Sequence, residues 1–192
     1  MEQDFSFNLS AGEQTCLLDL AKLSIAKNFK GDYSEAELPE PPYERLREPL
    51  GAFVTLKKHG QLRGCIGRLV DTAPLYLTVS RMALAAAFND PRFPPLQESE
   101  FGELTFDISI MGPITPCLKP EAISIGRHGL IMKRGQRQGL LLPQVPVEWN
   151  WNTTQFLDQT CLKAGLPAGS WRQAWKAEGT ELYWFEAVVL GQ

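Results

Sequence analysis

Residues 51–69 read GAFVTLKKHGQLRGCIGRL. Two runs of strand character, Gly51–Lys57 and Gln61–Leu69, flank the pair His59-Gly60. Glycine reaches positive φ without steric cost, and histidine is among the other residues enriched there, so this pair predicts the tight loop of a β-hairpin. In that register Lys58 faces Gln61 and Val54 faces Cys65. Because side chains alternate across a strand, Arg63, Cys65 and Gly67 fall on one face. The hairpin commits the chain to antiparallel pairing, and the segments on either side fit that choice.

Upstream, Ser10-Ala11-Gly12-Glu13 is a capping box, followed by Leu17, Leu20, Ala21 and Ile25 at helical spacing and by Gly31 as a stop. Residues Leu38–Pro49 (LPEPPYERLREP) hold four prolines and read as an ordered extended loop. Downstream, a helix is predicted from Pro74 to Phe88, closed by Asn89, and the prolines of Asp90–Pro95 force an extended segment. Glu103–Met111 (ELTFDISIM) alternates apolar Leu104, Phe106, Ile108 and Ile110 with Thr105, Asp107, Ser109 and Met111, the pattern of a half-buried strand. Short strands are expected at Ala122–Ile125, Leu130–Arg134 and Gly139–Leu142. A helix starts near Asn152, with Gln155 completing a second capping box, and Gly165 ends it. A helical turn holding Trp171 and Trp175 and a closing strand, Glu181–Leu190, complete the chain. The order predicts an α+β fold, with a mainly antiparallel sheet packed with helices.

The chain has 192 residues, enough for one domain or one domain with a small second lobe. A net charge of −3 and a pI of about 5.5 weigh against a nucleic-acid binder that neutralises many phosphates. No run of apolar residues is long enough for a transmembrane helix, and the acidic, polar start MEQDFSFNLS is unlike a signal peptide, so a cytoplasmic protein is expected. Cys16, Cys65, Cys117 and Cys161 are too scattered for a zinc ribbon or redox dithiol, and the histidines are only His59 and His128. No metal site and no cofactor is implied by the residues themselves.

The unusual local sequence is Leu62–Gly67. Gly64 and Gly67 within a strand mark a bulge or a close approach of backbone or ligand. Cys65 between them, with Arg63 on its face, reads as a nucleophilic or ligand-holding thiol, or else as a small buried residue beside Val54. His128, in the turn Gly126–Gly129, reads as a general base with Glu148 as its orienter, or as a turn histidine bonded to backbone. Asp90 and Arg92 read as a clamp for an anionic ligand group or as a structural ion pair. Cys16, Cys117 and Cys161 read as structural.

The hexapeptide LRGCIG of residues 62–67 resembles the hallmark of the AMMECR-type domain, also called AmmeMemoRadiSam system protein A. The resemblance extends in order through GAFVTLKKHGQLRGCIGRL, DPRFPPL (90–96), IGRHGL (125–130), GLLLPQV (139–145) and FLDQTCLKAGLP (156–167). It departs at Asn150, where the family's E-x-G-W segment carries glycine before Trp151. The resemblance implies a single domain over residues 1–192, with two unequal lobes formed by one chain and the residues ahead of Ala11 as an extension. It also implies Memo-like and radical-SAM proteins as partners, and it adds weight to Cys65, His128 and Glu148 as catalytic residues and to Arg63 as a ligand contact. Two functions remain open: a thiol-based enzyme component acting on a small molecule or peptide, and a non-catalytic scaffold that presents substrate to those partners.

Overall fold

The computed structural model describes residues 8–176 and 179–191. The extension expected ahead of Ala11 lies largely outside them. The chain divides into two compact units, one of residues 8–111 with 188–191 and the other of the described residues in 112–187.

In the larger unit, helix α1 (Ala11–Phe29) begins with the expected capping box: Glu13 N–H donates to Ser10 Oγ, and Glu13 Oε2 accepts from Ser10 N–H at 2.7 Å. Strands β1 (Ala52–Lys58) and β2 (Gln61–Arg68) form the hairpin, with His59 at φ 50° and Gly60 at φ 77°, as a two-residue turn of matching twist requires. Helix α2 (Leu75–Phe88) and strand β3 (Leu104–Met111) follow, and the strand order is β2-β1-β3, all antiparallel. Ala52, Val54 and Leu56 of β1 and Phe106, Ile108 and Ile110 of β3 are buried on one face, together with Leu17, Leu20, Ala21 and Ile25 of α1 and Leu75, Val79 and Ala83 of α2. Residues Leu38–Pro49 are not uniformly extended. They include a short 3₁₀ turn at Glu44–Arg47 that buries Leu46 completely.

The hairpin register departs from the expected one. Lys58 does face Gln61, but Lys57 pairs with Leu62 and Leu56 with Gly64, so Arg63 is an extra residue, a β-bulge. Val54 therefore faces Ile66, and Cys65 faces Thr55. A one-residue slip exchanges the faces of a strand. Here it places Gly64 and Ile66 on the face of the buried Val54 and Leu56, and Cys65 on the opposite face.

In the smaller unit, strands β4 (Thr115–Pro116), β5 (His128–Arg134), β6 (Arg137–Leu141) and β7 (Thr180–Gly191, its residues up to Ala187) take the order β4-β7-β5-β6. The strand expected at Ala122–Ile125 is absent: Pro120 opens a 3₁₀ turn over Pro120–Ala122. A five-residue helix, α3 (Gln144–Glu148), follows β6. Helix α4 (Thr153–Lys163) carries the expected Asn152–Gln155 capping box, and Phe156, Leu157 and Cys161 pack with Leu130, Met132 and Leu182.

Asn150 explains how the chain tolerates its departure from the glycine pattern. Trp151 N–H donates to Pro146 O at 2.8 Å and Asn150 N–H to Val147 O at 3.1 Å, the paired bonds of a Schellman motif ending α3. That motif requires a left-handed residue, and Asn150 supplies it at φ 51°. Asparagine is the best replacement for glycine in this conformation. Asn150→Gly is expected to be neutral or slightly stabilising. Asn150→Val should cost about 1–2 kcal/mol, read from the shift of the urea midpoint.

Candidate functional site

The bulge turns Cys65 away from the helix-packed face. On the open face the register aligns Cys65, Thr55 and Asp107 in one row across β2, β1 and β3. Thr55 Oγ1 donates to Cys65 Sγ at 3.2 Å. Next to this row, Lys57 Nζ meets Asp107 Oδ2 at 2.5 Å. A Cβ at Gly191 would come within 2.6 Å of Asp107 Oδ1, so the absence of a side chain there leaves room for this carboxylate. Cys65, Thr55, Lys57 and Asp107 are all half-buried.

The backbone of Cys65 is held from the other side. β2 is the outer strand of its sheet, so its outward N–H and C=O groups need partners. Asp90 Oδ2 accepts from Cys65 N–H at 2.8 Å, and Arg92 Nη2 donates to Cys65 O at 3.1 Å. The two side chains also bind each other, Arg92 Nη2 to Asp90 Oδ2 at 2.7 Å and Nε to Oδ1 at 3.0 Å. An ion pair thus replaces the missing neighbour strand. The Asp90 side chain is only 2% exposed, and the Arg92 guanidinium, helped by the Cys65 N–H, holds its carboxyl well below the usual carboxylate range.

Arg63 makes the reciprocal tie. Its guanidinium binds Glu100 through both oxygens, at 3.0 and 2.9 Å, and donates to Pro94 O at 3.0 Å. Arg63, foremost, pulls the Glu100 carboxyl down to about 2. The donors of Arg63 face Glu100 and the loop carbonyls and not the Cys65 sulfur. The guanidinium that touches the Cys65 residue is that of Arg92, through the Cys65 carbonyl, and Asp90 holds it in place and raises its pKa. A shallow cleft of about 420 Å³ lies along this seam, lined by Lys58, Arg63, Pro94, Pro95, Gln97, Ser99 and Glu100.

The glycines of the hexapeptide have packing roles. A Cβ at Gly64 would collide with the Ala86 carbonyl of α2, and one at Gly67 would enter the Phe53 ring. Gly64 lets α2 approach β2, and Gly67 leaves space for an aromatic ring across the ladder.

The remaining expected residues belong to the smaller unit. His128 is 12% exposed at its side chain. Its Nδ1 accepts from Ser124 N–H at 3.0 Å, and its ring lies 4.6 Å from that of Trp184. The carboxylate beside Nε2 is Glu186, at 4.0 Å, which also binds Arg127. Glu148 is exposed in α3. Burial raises the Cys117 thiol to about 11 and raises that of Cys161 as well, which makes both poor nucleophiles. Among the described residues no group of three or more His, Cys, Asp or Glu side chains is placed to hold a metal ion, and no helix is long and apolar enough to cross a membrane.

Thr55, Asp107 and Glu100 were not singled out from the sequence. Asp107 lies on the polar face of ELTFDISIM, which is visible in the alternation. Its alignment with Cys65 depends on the bulge.

The fold recurs in another solved structure, and the sequence has relatives along most of its length. The structure of the uncharacterized protein PH0010 from Pyrococcus horikoshii superposes with a TM-score of 0.77 at 38% identity, over 90% of this chain and 88% of that one. Protein MK0488 of Methanopyrus kandleri is 43% identical over 190 residues, covering 94% of this chain and 89% of its own. A protein of Aquifex aeolicus is 40% identical over 180 residues, covering 90% and 89%. The family model AMMECR1 matches residues 18–190. With nearly the whole length matched and the antiparallel α+β fold shared, the chain belongs to the AMMECR1 family.

Proposed function

We propose that the chain is a thiol-bearing component of an enzyme system acting on a small polar molecule or peptide, with Cys65 as the residue that meets the substrate. The observation that carries this reading is the double hold on Cys65. Its peptide is fixed on one side by the Asp90–Arg92 pair, while its sulfur stands on the open face beside Thr55. Functional groups held through their backbone and side chain at once are preorganised, so little conformational freedom is lost when substrate arrives. The Lys57–Asp107 ion pair beside Cys65 makes this face polar, as a polar substrate requires. The Memo-like and radical-SAM partners implied by the sequence resemblance would supply the remaining chemistry. His128 and Glu148 have no part in this proposal, since Nδ1 of His128 is bonded to backbone and Glu186 is the carboxylate beside it.

A second reading, a non-catalytic scaffold, is favoured by one fact: Arg63, Gly64, Gly67, Asp90 and Arg92 each have an intramolecular partner. Intact-mass spectrometry of the protein after incubation with a small-molecule extract separates the two. A thiol component should gain an adduct that maps to Cys65 and is absent from Cys65→Ser. An unmodified Cys65 that still reacts with iodoacetamide would support the scaffold.

A further inference from the structure

We propose that the end of α3 is a docking point for an arginine side chain presented by a partner protein. Trp149 is 67% exposed and Val147 57%, a rare degree of exposure for tryptophan. The Schellman turn at Asn150 brings the two flanking indoles together: Trp149 and Trp151 stack with centroids 6.1 Å apart and planes 19° from parallel. Trp151 packs against the core cluster of its unit, so the inner ring of the stack is anchored and the outer ring is presented to solvent. Glu148, the neighbour of Trp149, is exposed too, and among the described residues it makes no ion pair.

An exposed, electron-rich flat ring whose neighbour in the chain is an exposed carboxylate without an ion pair among the described residues suits a cation long enough to reach both. A guanidinium can stack on the indole while its edge donates to the carboxylate, whereas an ammonium can satisfy only one of these at a time with good geometry. The same unit already uses this chemistry internally: the Arg172 guanidinium lies 4.2 Å from the centre of the Trp171 ring. Trp149 has no such partner among the described residues. The Schellman cap fixes the backbone between the two tryptophans, which limits the ordering that binding requires there.

The test is titration of the ¹⁵N-labelled full chain with a glycine-flanked arginine peptide, following the indole N–H signals, which Trp149→Phe assigns. Expected is a saturable shift of the Trp149 and Trp151 signals, with affinity reduced about tenfold by Trp149→Ala and by Glu148→Gln. The citrulline peptide, which has the shape without the charge, should bind more weakly by a similar factor. Equal binding of the citrulline peptide, or no saturable shift at millimolar arginine peptide, would overturn the proposal. So would tetramethylammonium binding where the arginine peptide does not, which would mark a small-cation site. Concentration-dependent shifts of the same signals without peptide would assign the patch to a second copy of the chain and would equally overturn it.

Discussion

Asp90→Ala is expected to destabilise the protein by about 3 kcal/mol, the upper end for leaving a strand N–H without its acceptor, since the Arg92 side chain left behind is 55% exposed and keeps its hydration. Asp90 accepts from Cys65 N–H and from three donors of Arg92, and its side chain is almost fully enclosed. Its loss leaves the outer edge of β2 without an acceptor at the position where the strand meets the loop. Asp90→Asn keeps the volume and one acceptor oxygen, and should cost about 2 kcal/mol, the value of the charge-assisted part of the bonds. The same ion pairs set the response to acid. The folded-state carboxyls of Asp90 and Glu100 lie below their unfolded values, held there chiefly by Arg92 and Arg63 respectively. Their contribution is complete above the unfolded range near pH 4 and is lost as pH falls from about 4 towards 2. Chemical denaturation between pH 7 and 2 should show this loss in the wild type. In Asp90→Asn the slope should be shallower, because one of the two groups no longer titrates.

Gly64→Ala should be the most damaging substitution that adds a single methyl group. The new Cβ meets the backbone carbonyl of Ala86, and neither β2 nor α2 has a flexible side chain there to move aside. Overpacking against backbone costs about 3 kcal/mol or more, since strand and helix must separate. Gly102→Ala is the matched control: nothing lies within 4 Å of its would-be Cβ, and the variant should be neutral. Thermal unfolding of the two variants side by side measures the difference. Equal midpoints would mean that β2 and α2 are not in contact at Gly64.

Much of the fold was legible where local rules dominate. Both capping boxes, the His59-Gly60 turn and the alternation of Glu103–Met111 depend on residues within a few positions of one another. The caps and the turn stand as expected, while the alternation holds as far as Asp107, beyond which Ser109 and Met111 are buried along with the core face. The glycines signalled a bulge or a close approach, but the place of the bulge at Arg63 was not legible, because what holds Arg63 outside the ladder is Glu100, 37 residues along the chain. That single extra residue decides which face Cys65 occupies, so the sequence alone could not choose between a buried cysteine beside Val54 and a thiol beside Thr55. Helix α3 is too short to show a helical period in the sequence, and it contains a proline. Pro146 is the third residue of the helix, where the absent N–H has no intrahelical acceptor to lose. For the site, Cys65, Asp90 and Arg92 were marked by their local sequence, but the bond that joins them is tertiary.

The most direct test of the bulged register and the exposed thiol is the rate at which iodoacetamide modifies each cysteine of the native wild-type protein, read by peptide mapping. Cys65, half-buried on the open face, should react within about tenfold of a free cysteine peptide. The fully buried Cys117 and Cys161 should react only on unfolding. Protection of Cys65 equal to that of Cys117 and Cys161 would contradict the assignment and leave LRGCIG a packing motif.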